Sequence, residues 1–429
     1  MSKNKKSNFN KNVLTLLTGT TIAQAIPIAI TPILTRIYTP EDFGTFAIFI
    51  AIASIFSSIS SGRYEMAIIL PKKEEDAIHI FALGFILTTI ISLILLLCIV
   101  VFQNTIVALL NNKEISEWLY IVPISVFLIG IFNLLNYYYS RKKYYKDLSH
   151  ANIIKSIILA VGQISFSFIM HGGFALISSH IIAQFVITIR LYSKFKHELG
   201  TFNKLSGVKI LAVAKKYIKF PKFSLIAILA NSLSQNLISI LISSFYAIHT
   251  LGFYSLVQRI LAMPFILIGG SIGQVFYQEA VHEKNETGTA IVTFKKTLIK
   301  LIAIGIPAFV SLFFIVEDLF SFIFGKDWEI AGHYAQAMVP LYFIRFVVSP
   351  LTLMNQVNLK NKLDMFWQIG LLVLYVGIIY IAVFLHMNFY NYLLLNSYIL
   401  SLYYIYMLYL IYKYSKYHLR KENNENIKN

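Results

Sequence analysis

HIFALGFILTTIISLILLLCIVV, residues 79–101, holds 23 consecutive positions without Asp, Glu, Lys or Arg. As a helix such a run is about 34 Å long, enough to cross the ~30 Å hydrocarbon core of a bilayer. Working outward, similar runs recur at roughly 13–35, 44–70, 118–139, 153–170, 174–192, 223–246, 251–279, 297–316, 332–356, 366–386 and 391–412. Lipid offers the backbone no hydrogen-bond partners, so each run must satisfy itself as a helix. The chain therefore reads as an all-α polytopic membrane protein of about 12 spans. Its connections are too short to fold alone, which leaves any binding to residues inside the membrane or in the loops.

Composition points the same way. The 429 residues are 57% hydrophobic and only 13% charged, with mean hydropathy +0.67, where a soluble chain carries roughly 25% charged residues. The single Cys98 excludes an internal disulfide. A net charge of +17 would suit nucleic acid, but the placement of the charges argues for a membrane instead. Lys3, Lys5, Lys6 and Lys11 precede the first span, and basic residues recur in every second connection to the C-terminus. About 32 Lys and Arg fall on that face, against Arg36, Lys113 and Lys326 on the other. The positive-inside rule then places both termini in the cytoplasm. Ala23-Gln24-Ala25 imitates a signal cleavage site, but apolar sequence continues to Leu34, so a retained first span is expected. Asn285-Glu286-Thr287 has the form of a glycosylation acceptor on the expected cytoplasmic side.

The sizeable connection 193–222 is basic and contains an amphipathic stretch, Val208–Lys216, suited to lie at the headgroups. It divides the chain into an N-terminal six-helix lobe (1–192), a cytoplasmic connection (193–222), a C-terminal six-helix lobe (223–412) and a basic tail (413–429). Tyr38 precedes Phe43-Gly44 by the spacing with which Tyr246 precedes Leu251-Gly252, a faint sign of two parallel repeats.

Polar residues recur at helical spacing within several spans: Thr20, Gln24, Thr31 and Thr35; Ser54, Ser58, Ser61 and Glu65; Asn231, Gln235 and Ser239; Arg345, Ser349, Thr352 and Gln356. Helix–helix hydrogen bonding explains any single Ser or Thr. Stripes in both halves also suit the lining of one aqueous cavity. Charge is more telling, because an Arg at the bilayer centre costs on the order of 3 kcal/mol. Arg259 and Arg345 lie well inside their spans, whereas Arg36, Arg63 and Lys155 read as closer to interfaces. Guanidinium groups match phosphate and carboxylate geometry, so the cavity favours an anionic substrate. Glu65 reads either as a partner for Arg63 or as a proton or cation site, and His180 as a packing or a titrating residue. Pro27, Pro32 and Pro264 lie within spans and are either static kinks or hinges. No catalytic constellation, metal motif or nucleotide loop is present.

The run Leu16–Pro27, continuing through Leu34-Thr35-Arg36-Ile37-Tyr38-Thr39-Pro40-Glu41-Asp42-Phe43-Gly44, resembles the start of Wzx-type oligosaccharide flippases. So does Gly62-Arg63-Tyr64-Glu65-Met66-Ala67-Ile68 with Leu70-Pro71-Lys72. These form the polysaccharide-transporter branch of the MOP exporter superfamily, and the motif-level likeness covers about residues 14–80. The resemblance implies a MATE-like, V-shaped bundle in the bacterial cytoplasmic (inner) membrane. It implies movement of undecaprenyl-diphosphate-linked repeat units to the outer leaflet for O-antigen or capsule-type polysaccharide (lipopolysaccharide assembly included). Related lipid II flippases use arginines on their second and eighth helices, where Arg63 and Arg259 fall; their two extra C-terminal helices have no counterpart here.

On this reading Arg36, Arg63, Arg259 and Arg345 would hold diphosphate or acidic sugar, and Gln24, Asn231 and Gln235 would bind sugar hydroxyls. Glu65 is the coupling candidate, with H+ or Na+ as the ion; no cofactor, metal or nucleic acid is expected. Partners would be the lipid-linked oligosaccharide, membrane lipids and other polysaccharide-assembly proteins. A small-molecule or drug exporter of the same superfamily is the alternative, and a polysaccharide polymerase or ligase a third reading.

Overall fold

The computed structural model describes residues 18–110, 115–170, 172–198, 205–358 and 361–416. The basic N-terminal residues up to Lys11, Lys113, Lys360 and the tail beyond 416 lie outside them. The chain is helical throughout the described residues. In order the helices are α1 (Thr18–Ile37), α2 (Pro40–Ile59), α3 (Glu74–Leu110), α4 (Ile115–Lys142), α5 (Tyr145–Ser165), α6 (Gly173–Glu198) and α7 (Gly207–Lys216). They continue with α8 (Leu225–Phe245), α9 (Ile248–Leu261), α10 (Gly270–Thr287), α11 (Ile291–Phe324), α12 (Glu329–Leu351), α13 (Asn361–Phe384) and α14 (Phe389–Ser415). Eleven of the described helices are long and apolar enough to span a membrane.

The expected eighth span, 251–279, is broken. Helix α9 stops at Leu261, Pro264 leads into a π-helical turn at Phe265–Gly269, and α10 follows. Proline lacks the N–H that would close the preceding turn, and a π turn absorbs the mismatch. The expected second span, 44–70, is also shorter. Helix α2 ends at Ile59, Gly62 and Arg63 take left-handed φ values of 62° and 65°, and Tyr64–Ile69 form a 3₁₀ helix. Two consecutive left-handed residues cannot continue an α-helix. Helix α5 begins at Tyr145 rather than 153, because its first turns are polar.

The chain forms two compact units, residues 1–255 and 256–429. In the first, α8 packs on α2, and the Ser232 hydroxyl reaches the Ser54 carbonyl at 3.4 Å. Proline in α1 is handled by a neighbour. Pro27 cannot donate to the Ala23 carbonyl, and Ser156 of α5 donates to it instead at 2.6 Å. Thr31 donates back to the Pro27 carbonyl at 2.7 Å. The Ser156 bond is a side-chain repair of a freed backbone group, as a lipid-embedded proline requires.

A reciprocal approach joins the starts of α2 and α9. A Cβ on Gly44 would lie 2.1 Å from the Ile248 carbonyl oxygen, and one on Gly252 would lie 1.7 Å from that of Pro40. Both glycines are needed because backbone meets backbone there. Tyr38 beside this junction is buried and donates to the Gln163 carbonyl at 2.5 Å. Burial, with the Asp42 carboxylate near it, pushes its phenol up to about 12. In the second unit, α11 packs along α12, and Trp367 of α13 stacks on Tyr403 of α14 at 3.9 Å and 3°.

Candidate functional site

The candidate residues divide between the units. Gln24, Pro27, Pro32, Arg36, Arg63, Glu65, Asn231 and Gln235 belong to the first, and Arg259, Pro264 and Arg345 to the second. Gln24 and Arg36 are exposed on α1, Arg36 near its end, and Pro32 is in the first turn of the segment Thr31–Ile37 that follows a break at Ile30. On α8, the Gln235 amide donates to Asn231 Oδ1 at 3.2 Å, so these two act as a pair, with Gln235 exposed.

Arg63 and Glu65 form the most organised polar group in the first unit. Glu65 is 4% exposed. One carboxylate oxygen accepts from Ser61 and the other from Arg63 Nη1 at 3.0 Å. Arg63 Nη2 also lies 2.8 Å from the Met66 sulfur. This corrects the expected stripe: Ser54 and Ser58 are on α2, but Ser61 and Glu65 lie beyond its end, brought together by the left-handed turn at Gly62-Arg63. Arg141 of α4 clamps this segment, donating to the carbonyls of Pro71 at 2.6 Å and Ile68 at 3.2 Å. Tyr138 OH and Lys142 hold Glu74 at 2.7 and 3.0 Å. A charged hydrogen bond of this kind contributes roughly 1.5–3 kcal/mol. Glu65→Gln should therefore lower the thermal stability of the purified protein by about 2 kcal/mol, and more than Glu65→Gln adds to an Arg63→Met background. Equal effects in both backgrounds would separate the two side chains.

In the second unit, Arg259 sits in the last turn of α9, just before the break that Pro264 introduces. Arg345 lies 16 residues into α12, and its guanidinium carbon is 5.0 Å from the Tyr342 ring centroid and 6.0 Å from that of Tyr404. Such stacking is favourable for a desolvated guanidinium. The expected stripe on this helix ends early, since α12 stops at Leu351 and Gln356 belongs to the separate turn Met354–Val357.

Two further cations are better placed than their sequence positions indicate. Lys155 is ten residues into α5, about 15 Å along it, with its amine 5.3 Å from the Phe132 centroid. His180, edge-on to Phe46 and Phe49, is on the neighbouring α6. Lys284 of α10 is 7% exposed and donates to Asn358 Oδ1 at 2.7 Å and to the Val357 carbonyl at 3.3 Å. The sequence carries no signal for the burial of Lys284.

The long apolar helices define a multi-pass membrane protein. The family model described as polysaccharide biosynthesis protein matches residues 33–332, and the chain belongs to that family. The teichuronic acid biosynthesis protein TuaB of Bacillus subtilis is 22% identical over 287 residues, 66% of this chain and 58% of that protein. The chain thus spans under two thirds of that relative's length. Among solved structures, the lipid II flippase MurJ in an inward closed conformation matches with TM-score 0.71 and 14% identity, over 92% of this chain and 87% of that one. An inward-facing MATE-family multidrug transporter of the MOP superfamily matches with TM-score 0.68 and 11% identity, over 93% and 95%. The fold is therefore that of the MOP superfamily, and these structural matches are transporters.

Proposed function

We propose that this protein flips undecaprenyl-diphosphate-linked oligosaccharide repeat units from the cytoplasmic to the outer leaflet of the bacterial cytoplasmic membrane by alternating access. The observation that carries this reading is the pair of guanidinium groups on apolar membrane helices, Arg259 and Arg345, in a chain of a polysaccharide biosynthesis family. Interior arginines are costly unless they meet an anion or an aqueous cavity, and a diphosphate supplies the matching fork geometry. Arg63 and Lys155 would add positive potential from the first unit, Asn231 and Gln235 would bind sugar hydroxyls, and the polyprenyl tail would remain in lipid. Pro264 and its π turn would serve as a hinge. The two six-helix lobes, split at 193–222, would rock about the site.

The likeness to a multidrug transporter favours drug export as a second reading. Cationic drugs call for an available carboxylate, whereas Glu65 is already shared by Ser61 and Arg63. Purified protein in vesicles with fluorescent lipid-linked oligosaccharide decides: flipping of that lipid, with and without an ion gradient, supports the proposal, and no flipping alongside export of a cationic dye overturns it.

The charge asymmetry gives a separate expectation for orientation. Reporter fusions after Lys146, near Asn203 and at the C-terminus should read as cytoplasmic, and fusions near Asn112 and Lys326 as external. An external signal at 193–222 would break the two-lobe arrangement.

A further inference from the structure

Helix α7 is amphipathic, but it does not simply float on the membrane. Its Val213 is 6% exposed and enters a core cluster with Tyr64, Phe81, Tyr138 and Phe195, and Tyr64 OH donates to the Ala214 carbonyl at 3.0 Å. Lys209 pairs with Glu75, and the Ser206 amide donates to His79 Nε2 at 3.3 Å. Docking α7 this way leaves a groove of about 550 Å³ between the helix and residues 70–76. The groove is lined by Lys72, Lys73, Lys209 and Lys216 together with Glu75 and Asp76.

The charges in the groove do not cancel. Glu75 neutralises Lys209. That leaves Lys72, Lys73 and Lys216, all exposed, facing Asp76 as the remaining carboxylate of the lining. Apolar surface adjoins it: Leu70 of the lining is 56% exposed, and Val208 and Leu211, on α7 beside the lining residues Lys209 and Ala212, are 80% and 58% exposed. Exposed aliphatics of that size beside lysines belong at a bilayer interface, not in water.

We propose that this groove binds the phosphodiester headgroup of an anionic phospholipid, with Lys72, Lys73 and Lys216 on the phosphate and Leu70, Val208 and Leu211 against the upper acyl chains. A modest surplus of positive charge suits a singly charged phosphodiester, while Asp76 disfavours a diphosphate. The site is separate from the proposed transport residues and does not depend on what the protein carries. Lipid occupancy would fasten α7 to the membrane and, through Tyr64, the adjoining Arg63–Glu65 turn to α7.

The test is binding of phosphatidylglycerol to the full-length protein in nanodiscs of otherwise zwitterionic lipid. Lys72→Gln/Lys73→Gln/Lys216→Gln should be compared with a control of equal charge loss, Lys295→Gln/Lys296→Gln/Lys300→Gln. Each lysine near an anionic headgroup is worth a factor of about five, so the groove variant should weaken binding on the order of 100-fold at low salt and the control far less. Unchanged binding in the groove variant, or equal loss in both variants, overturns the proposal. Competition by millimolar inorganic phosphate would make the groove a soluble-phosphate site and also overturn the lipid assignment. Displacement by a polyprenyl diphosphate at far lower concentration than by phosphatidylglycerol would do the same.

Discussion

On the proposed function, Arg345→Ala and Arg259→Ala should each abolish flipping of the lipid-linked oligosaccharide while leaving the protein in the membrane at normal abundance; this is the largest effect expected of any single substitution. Arg345 lies against the rings of Tyr342 and Tyr404, so its guanidinium would already be oriented for the proposed substrate. Losing a bidentate charged contact in a desolvated site costs several kcal/mol, and each 1.4 kcal/mol is about tenfold in rate. Lysine at either position keeps the charge but not the fork, so partial transport is expected from Arg→Lys. The check is initial flipping rate in vesicles, normalised to protein incorporated. Full activity in Arg259→Ala would make that guanidinium structural and remove the main support for an anionic substrate.

Gly252→Leu, and to a similar degree Gly44→Leu, should stop transport by a different route. Their Cβ atoms would fall 1.7 and 2.1 Å from the carbonyl oxygens of Pro40 and Ile248, well inside contact distance. The obstruction is backbone, which cannot rotate away, so the starts of α2 and α9 must separate. Forced separation of packed elements costs roughly 1–3 kcal/mol, enough to move a conformational equilibrium about 5- to 100-fold. Spin labels on exposed Glu41 and His249 should report a longer distance in Gly252→Leu than in the parent protein, with transport reduced in parallel. Wild-type transport with the distance lengthened would show that this approach plays no part in the cycle.

Much of the helical plan is legible because apolar runs and proline are local signals. The run at 79–101 lies inside α3, and Pro264 marks the place where the expected eighth span breaks. The end of α2 was concealed because Tyr64–Ile69 continue in apolar sequence after the turn, and only Gly62, after two serines, hints at it. The start of α5 at Tyr145 lies ahead of the apolar run because its opening, Tyr145-Lys146-Asp147, is invisible to a hydropathy reading. The environment of Glu65 could be foreseen as far as Arg63. Its second partner, Ser61, shares the i, i+4 spacing of the expected stripe, but a left-handed turn rather than a continuous helix brings the two together. The docking of α7, through Val213 and the Ala214 carbonyl, onto the core around Tyr64, and the clamp formed by Arg141, join residues far apart in the chain, and no periodicity reports such contacts.

The mutual approach of α2 and α9 carries a historical consequence. Gly44 and Gly252 are 208 positions apart, as are Pro40 and Ile248. Gly44 meets the carbonyl of 248 while Gly252 meets that of 40. A relation in which i touches j and j touches i is the mark of an isologous interface between identical subunits. A half-length ancestor acting as a homodimer would have needed a single glycine, used twice, to make both halves of this contact. Fusion of two such copies would leave each free to drift alone. Pro40 and Ile248 can differ in identity, because a carbonyl oxygen serves equally well from either residue. The glycines cannot, because no other residue leaves the space.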